Sequence, residues 1–280
     1  QVFALTHLAV LGWVTMMIMG ALYQLFPVAL QATISSPNVG RRNFWVYLAR
    51  IHPSADRLVL IDDLGEPVSH EEATCLLALS SLRARPGGAV VGPVSSSRRL
   101  EQVVEQGGGR MVLARADSAS IVRTAARTGA LFAADEDAGF VWPEHLAAYD
   151  GMFTLLQLVQ LLIGSGERLS ELRRHLPMAT HLEREVSCPW EVKGEVMRLL
   201  VDAHRGGRVD LTNGMKLEVD KGWVLVLPDA GRPQYRVIVS LEQEQGAAAL
   251  LDRFVAEVEA MVSSAGGDPT PAARLYQELA

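Results

Sequence analysis

The sequence predicts an α/β domain with a three-layer, mainly parallel sheet, followed by a smaller α+β domain with an antiparallel sheet. Between residues 58 and 163, short apolar segments alternate with segments of helical length. Between residues 208 and 241, apolar or alternating runs are joined by turn residues. The first 40 residues contain no Asp, Glu, Lys or Arg, which predicts one additional transmembrane-like helix at the N-terminus.

The N-terminal helix is predicted over residues 1–34, which exceeds the roughly 20 apolar residues needed to cross a bilayer. Arg41 and Arg42 follow it in the connector at 35–50, so the C-terminal side of this helix is expected in the cytoplasm. His7 lies inside the segment, and an ionisable residue in a membrane helix is a candidate functional residue.

His7 begins the pattern H-x-x-x-L-G-W-V, which is followed by G-A-L-Y and a proline. This pattern resembles a membrane helix of haem–copper oxidase subunit I, and the resemblance extends over residues 1–50. It implies haem ligation by His7, with Leu5 in place of the first His of that family's pair. Because an opposing helix must supply the other axial ligand, one helix cannot hold a haem alone. An interface His is the alternative interpretation.

The α/β domain is predicted from strands and helices in alternation, a pattern typical of a parallel sheet covered by helices. The predicted strands are 58–61, 89–94, 111–114, 131–133 and 139–142. The predicted helices are 70–82, 97–106, 118–128 and 151–163. Asp150 is expected to cap the last of these helices, and Gly164 is expected to end it.

The smaller domain is predicted as a helix, an antiparallel sheet and a second helix. The helices are 190–204 and 245–262, and the strands are 208–211, 215–219, 223–227 and 235–241. Asn213-Gly214 and Asp220-Lys221-Gly222 favour hairpin turns, which make the sheet antiparallel. The tail at 263–280 begins rich in Gly and Pro and is expected to be mobile.

Charge and cysteine content exclude some classes of function. The net charge is −6, whereas nucleic-acid binding needs clustered Lys and Arg, so no nucleic-acid partner is expected. Cys75 and Cys188 lie far apart and lack metal-ligand spacing. They are expected to be buried, reduced thiols, which favours a cytoplasmic location for residues 50–280.

Three segments resemble the phosphohexomutases, the family of phosphoglucomutase and phosphomannomutase. They are ADRLVLIDDLGEP, ADEDAGF followed by AYDGMFTLLQLVQLL, and NGMKLEV with the later KGWVLVLPDAGRPQYRV. The resemblance covers residues 51–262 and implies a remnant of the second domain at 51–66, a third α/β domain at 67–180 and a C-terminal α+β domain at 181–262. Degenerate modules of this kind also follow sugar nucleotidyltransferases. Since the chain begins with Gln, we expect an upstream part that includes such a domain.

The family's reaction moves a phosphoryl group between a serine and two positions of a hexose, so the resemblance implies a hexose phosphate as ligand. The serine lies on a first domain that has no counterpart in this sequence, and no catalytic residue is assigned. The family's magnesium loop, D-x-D-x-D-R, reads HPSADR here. Asp56 is the single carboxylate left, and Arg57 is a candidate substrate-binding residue. Because Mg²⁺ prefers several oxygen ligands, no cofactor is expected, and Mg²⁺ is implied only if the chain is active.

Three further loops differ from the family's pattern. The sugar loop, G-E-x-S-G-H in the family, reads DEDAGF here, and Glu136 and Gly139 remain as candidate substrate-binding residues. The phosphate clamp, R-P-S-G-T-E-P, reads LPDAGRP, in which Asp229 would repel a phosphate and Arg232 is a candidate replacement cation. In a third loop, Ala-Asp at 116–117 replaces Val-Gly. Solvated turns are the simpler interpretation of these loops.

Together these changes predict a phosphohexomutase-like module without mutase activity, which acts in binding, regulation or oligomerisation within sugar-phosphate or nucleotide-sugar metabolism. Two alternatives stay open. The first is an active phosphohexomutase whose nucleophile domain is missing from this chain. The second is a membrane haem–copper oxidase-related component, in which only residues 1–34 enter the membrane.

Overall fold

The computed structural model describes residues 50–52 and 57–266, all of which belong to one compact unit, Leu48–Ala280. The predicted helix at 1–34, His7 and the tail after residue 266 lie outside the described residues, so they stay predictions. Within the described residues, no helix is long and apolar enough to cross a membrane.

The described residues form thirteen strands and seven helices. In chain order they are β1 (Arg50–His52), β2 (Arg57–Ile61), β3 (Pro67–Val68), α1 (His70–Ala84), β4 (Ala89–Pro93), α2 (Arg98–Gln106), β5 (Arg110–Ala114), α3 (Ser118–Thr128), β6 (Phe132–Ala134), β7 (Phe140–Trp142), β8 (Leu146–Tyr149), α4 (Gly151–Ser165), α5 (Leu169–Arg174), β9 (Thr180–Ser187), α6 (Trp190–Ala203), β10 (Val209–Asp210), β11 (Met215–Val219), β12 (Gly222–Pro228), β13 (Gln234–Leu241) and α7 (Ala247–Ser264). Each strand and helix predicted between residues 58 and 262 has a counterpart here, with ends within two residues of the prediction.

Polar side chains cap the first four helices. Ser69 and Glu72 form a capping box at α1, in which Ser69 Oγ accepts the Glu72 N–H and a Glu72 carboxylate oxygen accepts the Ser69 N–H. Ser97, Asp117 and Asp150 cap α2, α3 and α4 in the same way, each accepting a backbone N–H of the first turn. The cap predicted at Asp150 is therefore confirmed.

The end of α4 differs from the prediction. Gly164 lies inside the helix, which continues to Ser165 and ends at Gly166. Gly166 has φ of +69°, a left-handed conformation that glycine adopts without steric cost. A glycine inside a helix costs only about 1 kcal/mol relative to alanine, so Gly164 is tolerated there.

The first sheet, the α/β sheet, has the strand order β5-β4-β6-β7-β8. β4 is parallel to β5 and to β6, whereas the β6–β7 and β7–β8 pairs are antiparallel. The prediction of a mainly parallel sheet is thus wrong for half of its pairings. The reason is the short turn at residues 135–139, because a parallel return needs a crossover of a dozen or more residues.

Five elements were not predicted, namely β1, β3, β8, α5 and β9. β9 pairs antiparallel with β13 along its whole length, and α5 carries Arg173, whose contacts are described below. β9 reads THLEREVS, with charged residues on an edge strand, so it lacks the apolar signal of a buried strand. Whether such a segment forms an edge strand depends on the neighbouring strand with which it pairs.

The second sheet, the C-terminal sheet, has the order β10-β11-β12-β13-β9 with antiparallel pairs throughout. The two hairpin turns were predicted correctly. Gly214 and Lys221 occupy the left-handed region, with φ of +78° and +57°, at the turns that join β10 to β11 and β11 to β12.

The C-terminal sheet is buried on both faces. On one face, valines of β12 and β13 pack with α6 and α7; they are Val224, Val226, Val237 and Val239. On the other face, a second group packs with Val94, which follows β4; it consists of Trp223, Leu225, Leu227 and Ile238. Because both faces are covered, β12 reads as one apolar run, GWVLVLP, instead of alternating with polar residues.

Candidate functional site

The candidate site lies at the C-terminal edge of the α/β sheet. β4 lies between β5 and β6, and the connections after β4 and after β5 lead to opposite sides of it. This is the switch point at which open α/β sheets bind ligands. The residues that follow these strands are 95–97, 115–117 and 135–139, and we call the space between them the crevice.

Of the four loops singled out in the sequence, the sugar loop and the loop at 116–117 border this crevice, and the clamp reaches it through its first residue. The Leu58 N–H donates to the Ala138 carbonyl at 3.1 Å, so β2, which follows the predicted metal loop, reaches the sugar loop. Leu227, the first residue of the phosphate clamp, packs in one cluster with Val94 and Ala116. β2 therefore contacts the sugar loop, and the first residue of the clamp packs against the loop at 116–117.

The sugar loop, residues 135–140, is held from within by its own carboxylate. Asp135 Oδ1 accepts the N–H of Asp137 and of Gly139, each at 2.8 Å. Ala138 takes φ of +64°, an uncommon conformation for a residue with a Cβ. At Gly139 a Cβ would lie 2.7 Å from Asp135 Oδ2 and from the Tyr149 ring, so the glycine is required by packing.

Phe140, which stands where the family has a His, is part of the core instead of the crevice. It is fully buried, and its ring lies 5.3 Å from the ring of His70. Burial lowers the pKa of His70, which keeps the ring neutral near pH 7. His70 Nε2 contacts the Asp135 carbonyl, so the ring hydrogen must be on Nε2.

Glu136, predicted to bind substrate, has both carboxylate oxygens bonded within the protein. One oxygen accepts the Ser95 hydroxyl, and the other accepts Arg236 Nη1 at 2.7 Å. Arg236 is also bonded to Glu183. Glu183 and Glu136 raise the pKa of Arg236 although burial opposes them, so this guanidinium is permanently charged. Glu136 thus faces a fixed cation of the C-terminal sheet.

The phosphate clamp, residues 227–233, is closed by Asp229. Its Oδ1 accepts the N–H of Gly231 at 2.8 Å and the N–H of Arg232 at 3.1 Å, and its Oδ2 accepts Gln234 Nε2 at 3.2 Å. Backbone N–H groups arranged in this way form an anion site. Here the bound anion is a side chain of the chain itself.

Arg232, the predicted replacement cation, lies on the surface. Its side chain is 69% exposed, and its nearest carboxylate, Glu185 Oε1, is 3.8 Å away. The clamp's other cation, Lys193, donates to the carbonyls of Asp229 and Arg232 instead of facing a ligand. Neither cation is held in an enclosed site, where it would attract an anion most strongly.

In the loop at 116–117, as in the clamp, an aspartate of the chain bonds a backbone N–H that could otherwise bind an anion. Asp117 Oδ1 accepts the Ser120 N–H at 2.8 Å and so occupies the N-terminus of α3. Bonding to Ser120 and the charge of Arg115 lower the pKa of Asp117. A helix N-terminus attracts anions, and here this carboxylate fills it.

The residues that the sequence did not point to are Ser95 and Arg236. Both bond Glu136, across 41 and 100 residues of chain. Arg236 did carry a signal, because it is the one charge within the otherwise apolar run of β13, QYRVIVSL. A charge inside such a run is expected to have a partner when the strand is buried.

Comparison with known proteins identifies the larger domain. Residues 70–179 match the family profile described as phosphoglucomutase/phosphomannomutase, alpha/beta/alpha domain III. Over these residues the chain is similar to the phosphohexomutase family. The resemblance found in the sequence is thereby confirmed for this domain.

Curated relatives extend the similarity beyond that domain. The "Probable phosphoglucosamine mutase" of Methanopyrus kandleri is 31% identical over 203 residues, which is 72% of this chain and 45% of that protein. The phosphoglucomutase/phosphomannomutase of Thermococcus kodakarensis is 26% identical over 199 residues, 71% of this chain and 44% of that protein. The chain thus spans about half the length of the curated phosphohexomutases it matches.

Solved structures share the fold. A phosphoglucomutase/phosphomannomutase family protein of Burkholderia thailandensis aligns with a TM-score of 0.66 at 20% identity, over 77% of this chain and 47% of that one. An N-acetylphosphoglucosamine mutase of Aspergillus fumigatus, solved with GlcNAc-6P and magnesium, aligns with a TM-score of 0.55 at 12% identity, over 76% of this chain and 52% of that one. At these sequence identities the structural similarity shows a shared fold and nothing further.

The residues of this phosphohexomutase relative do not fit a magnesium ion. Asp56 lies outside the described residues, as does the side chain of Arg57, and HPSADR supplies one carboxylate where Mg²⁺ prefers several oxygens. In the part of the chain that the structure describes, no group of three or more His, Cys, Asp or Glu could hold a metal. His7, the predicted haem ligand, also lies outside this part.

The two acids that follow β2 have structural partners. Asp62 Oδ1 accepts the N–H of Leu64 at 2.9 Å and of Glu66 at 3.0 Å, and its other oxygen pairs with Arg173 of α5. Asp63 accepts the Ser170 N–H and hydroxyl, each at 2.9 Å. Burial raises the pKa of Asp62, but these donors lower it overall. Together they attach the β2–β3 hairpin to the α/β domain.

Proposed function

We propose that this chain is the C-terminal part of a phosphohexomutase-like protein of sugar-phosphate or nucleotide-sugar metabolism, and that it has no mutase activity. It serves as a binding, regulatory or oligomerisation module. Its proposed partner is a nucleotidyltransferase domain, and the closed clamp argues against the hexose phosphate that the resemblance implies. The observation that carries the proposal is the Asp229 carboxylate, which bonds the N–H groups of its own phosphate clamp.

The electrostatics of the loops support this function. Phosphoryl transfer depends on positive charge and N–H donors arranged around the phosphate. At the clamp, the third-domain loop and the sugar loop, such donors are bonded to Asp229, Asp117 and Asp135. Two unit charges of the same sign at 4 Å repel each other by about 4 kcal/mol at the effective dielectric near a protein surface. A phosphate in the clamp would meet this repulsion and would also have to displace the carboxylate.

Phosphate binding tests the proposal directly. The full chain is titrated with inorganic phosphate and with glucose 1-phosphate, and heat or amide NMR shifts are recorded. The wild type is expected to show no saturable binding, whereas Asp229→Ser frees three donors and should gain phosphate affinity. Asp202→Ser, which removes the same charge from the exposed side of α6, is the matched control and should gain none. Saturable binding by the wild type that Asp229→Ser does not improve would contradict the proposal.

The alternative enzyme function is favoured by one observation, the Leu58–Ala138 hydrogen bond, which keeps the metal-loop strand against the sugar loop. In that case the chain is an active phosphohexomutase whose nucleophile domain is supplied from outside it. Conversion of glucose 1-phosphate or mannose 1-phosphate is assayed with Mg²⁺ present. Turnover above background that disappears in Asp56→Ala would replace the proposed function by this one.

A further inference from the structure

The outer face of the C-terminal sheet lies directly on the crevice. Trp223, Leu225, Leu227 and Ile238 are between 0 and 4% exposed, and they form one cluster with Val94. Val94 directly follows β4, the central strand of the switch point. Ala116, from the third-domain loop, packs against the same cluster. The place where an α/β sheet binds its ligand is thus filled by apolar side chains of the neighbouring domain.

Polar contacts surround this apolar centre and involve the start of α2. The Arg98 N–H, at the N-terminus of α2, donates to Ser240 Oγ at 2.9 Å, and Ser240 is fully buried. Lys216, which is 5% exposed, pairs with Glu101 of α2 at 3.0 Å. The helix terminus that faces the crevice is therefore bonded to the C-terminal sheet, and its N–H is not left for a ligand.

Arg236 completes the contact at the sugar loop. Its guanidinium is held by Glu183 of the neighbouring strand and donates through Nη1 to Glu136. Because Glu183 fixes the plane of the guanidinium, little conformational entropy is lost when Glu136 bonds to it. Ser95 holds the other oxygen of Glu136 from the α/β domain.

We propose that the C-terminal domain stays packed over the crevice. In this arrangement the bond from Arg236 keeps the Glu136 carboxylate from binding sugar hydroxyls. An interface between domains that separate is expected to be polar, whereas this one has a buried apolar centre. The proposal rests on the proposed function for one point, namely that Glu136 is the residue a hexose would contact.

Amide hydrogen exchange on the full chain tests the contact between Arg236 and Glu136. Arg236→Gln should speed exchange at residues 95–98 about tenfold or more, the change expected when a charge-assisted hydrogen bond is lost. Arg232→Gln, which removes an exposed arginine of the same domain with one long ion pair, is the matched control and should leave this exchange unchanged. Equal exchange in the two variants would overturn the role of Arg236. Glu136→Gln, from the other domain, should reproduce the effect and replaces Arg236→Gln if that variant does not fold.

The distance between the α/β domain and the C-terminal domain tests whether the C-terminal domain stays packed over the crevice. Spin labels at Arg127→Cys on α3 and Glu259→Cys on α7 lie on exposed positions of the two domains, while the native cysteines are buried. One narrow distribution of the distance between the labels supports a C-terminal domain that stays packed over the crevice. Two populations of this distance in the wild type would overturn the proposal. Phosphate binding by the wild type with a single distance would contradict the proposed function alone, so the two failures are distinguishable.

Discussion

Leu225→Ala tests whether the C-terminal sheet is packed on the α/β domain in solution. Leu225 is fully buried in the cluster that joins the two domains. Truncation of a buried leucine costs about 2–5 kcal/mol of unfolding free energy, from lost transfer energy and from the cavity left behind. If the outer face of the sheet were open to water, the same change would cost about 0.5 kcal/mol or less, as surface substitutions do.

Leu200→Ala is the matched comparison, because Leu200 is also fully buried but lies on the helix-covered face of the same sheet. Urea unfolding is followed by far-UV circular dichroism and by tryptophan fluorescence. Both variants should lose about 2–5 kcal/mol. A loss of that size in Leu200→Ala with none in Leu225→Ala would refute the two-sided burial of the sheet.

Three further predictions follow from individual contacts. Gly139→Ala should lower the unfolding free energy by about 1–3 kcal/mol, because its Cβ has no room, whereas Gly231→Ala, where the nearest atom would be 3.7 Å away, should change it little; thermal unfolding measures both, and equal effects would contradict the packing argument. The pKa of Asp62 is lower in the folded than in the unfolded protein, so its stabilisation is present above about pH 4 and is lost as the pH falls through the folded pKa; urea unfolding from pH 7 to 3 should show less acid destabilisation in Asp62→Asn than in the wild type, and identical pH profiles would count against it. Burial raises the pKa of both Cys75 and Cys188, so a thiol reagent should modify neither before unfolding; fast labelling of native protein would contradict this.

Much of the fold was predictable because its signals are local. Strand and helix positions follow from apolar periodicity, and the left-handed turns at Gly214 and Lys221 follow from their turn residues. The α/β alternation and the segments that resemble the family's loops also lie in short stretches of sequence, so the sequence alone carries the phosphohexomutase resemblance. β9 was missed because an edge strand with alternating charges carries no such local signal.

By itself the sequence determined the order of the elements and which residues stand in the four loops that resemble the family's. Tertiary structure alone decided what those loops hold instead. Asp229 closes its own clamp, Glu136 meets Arg236 across 100 residues, and Leu225 covers the end of β4. The physical reason is that such contacts join residues far apart in the chain, and neither periodicity nor spacing records which distant group will satisfy a buried charge or cover an apolar face.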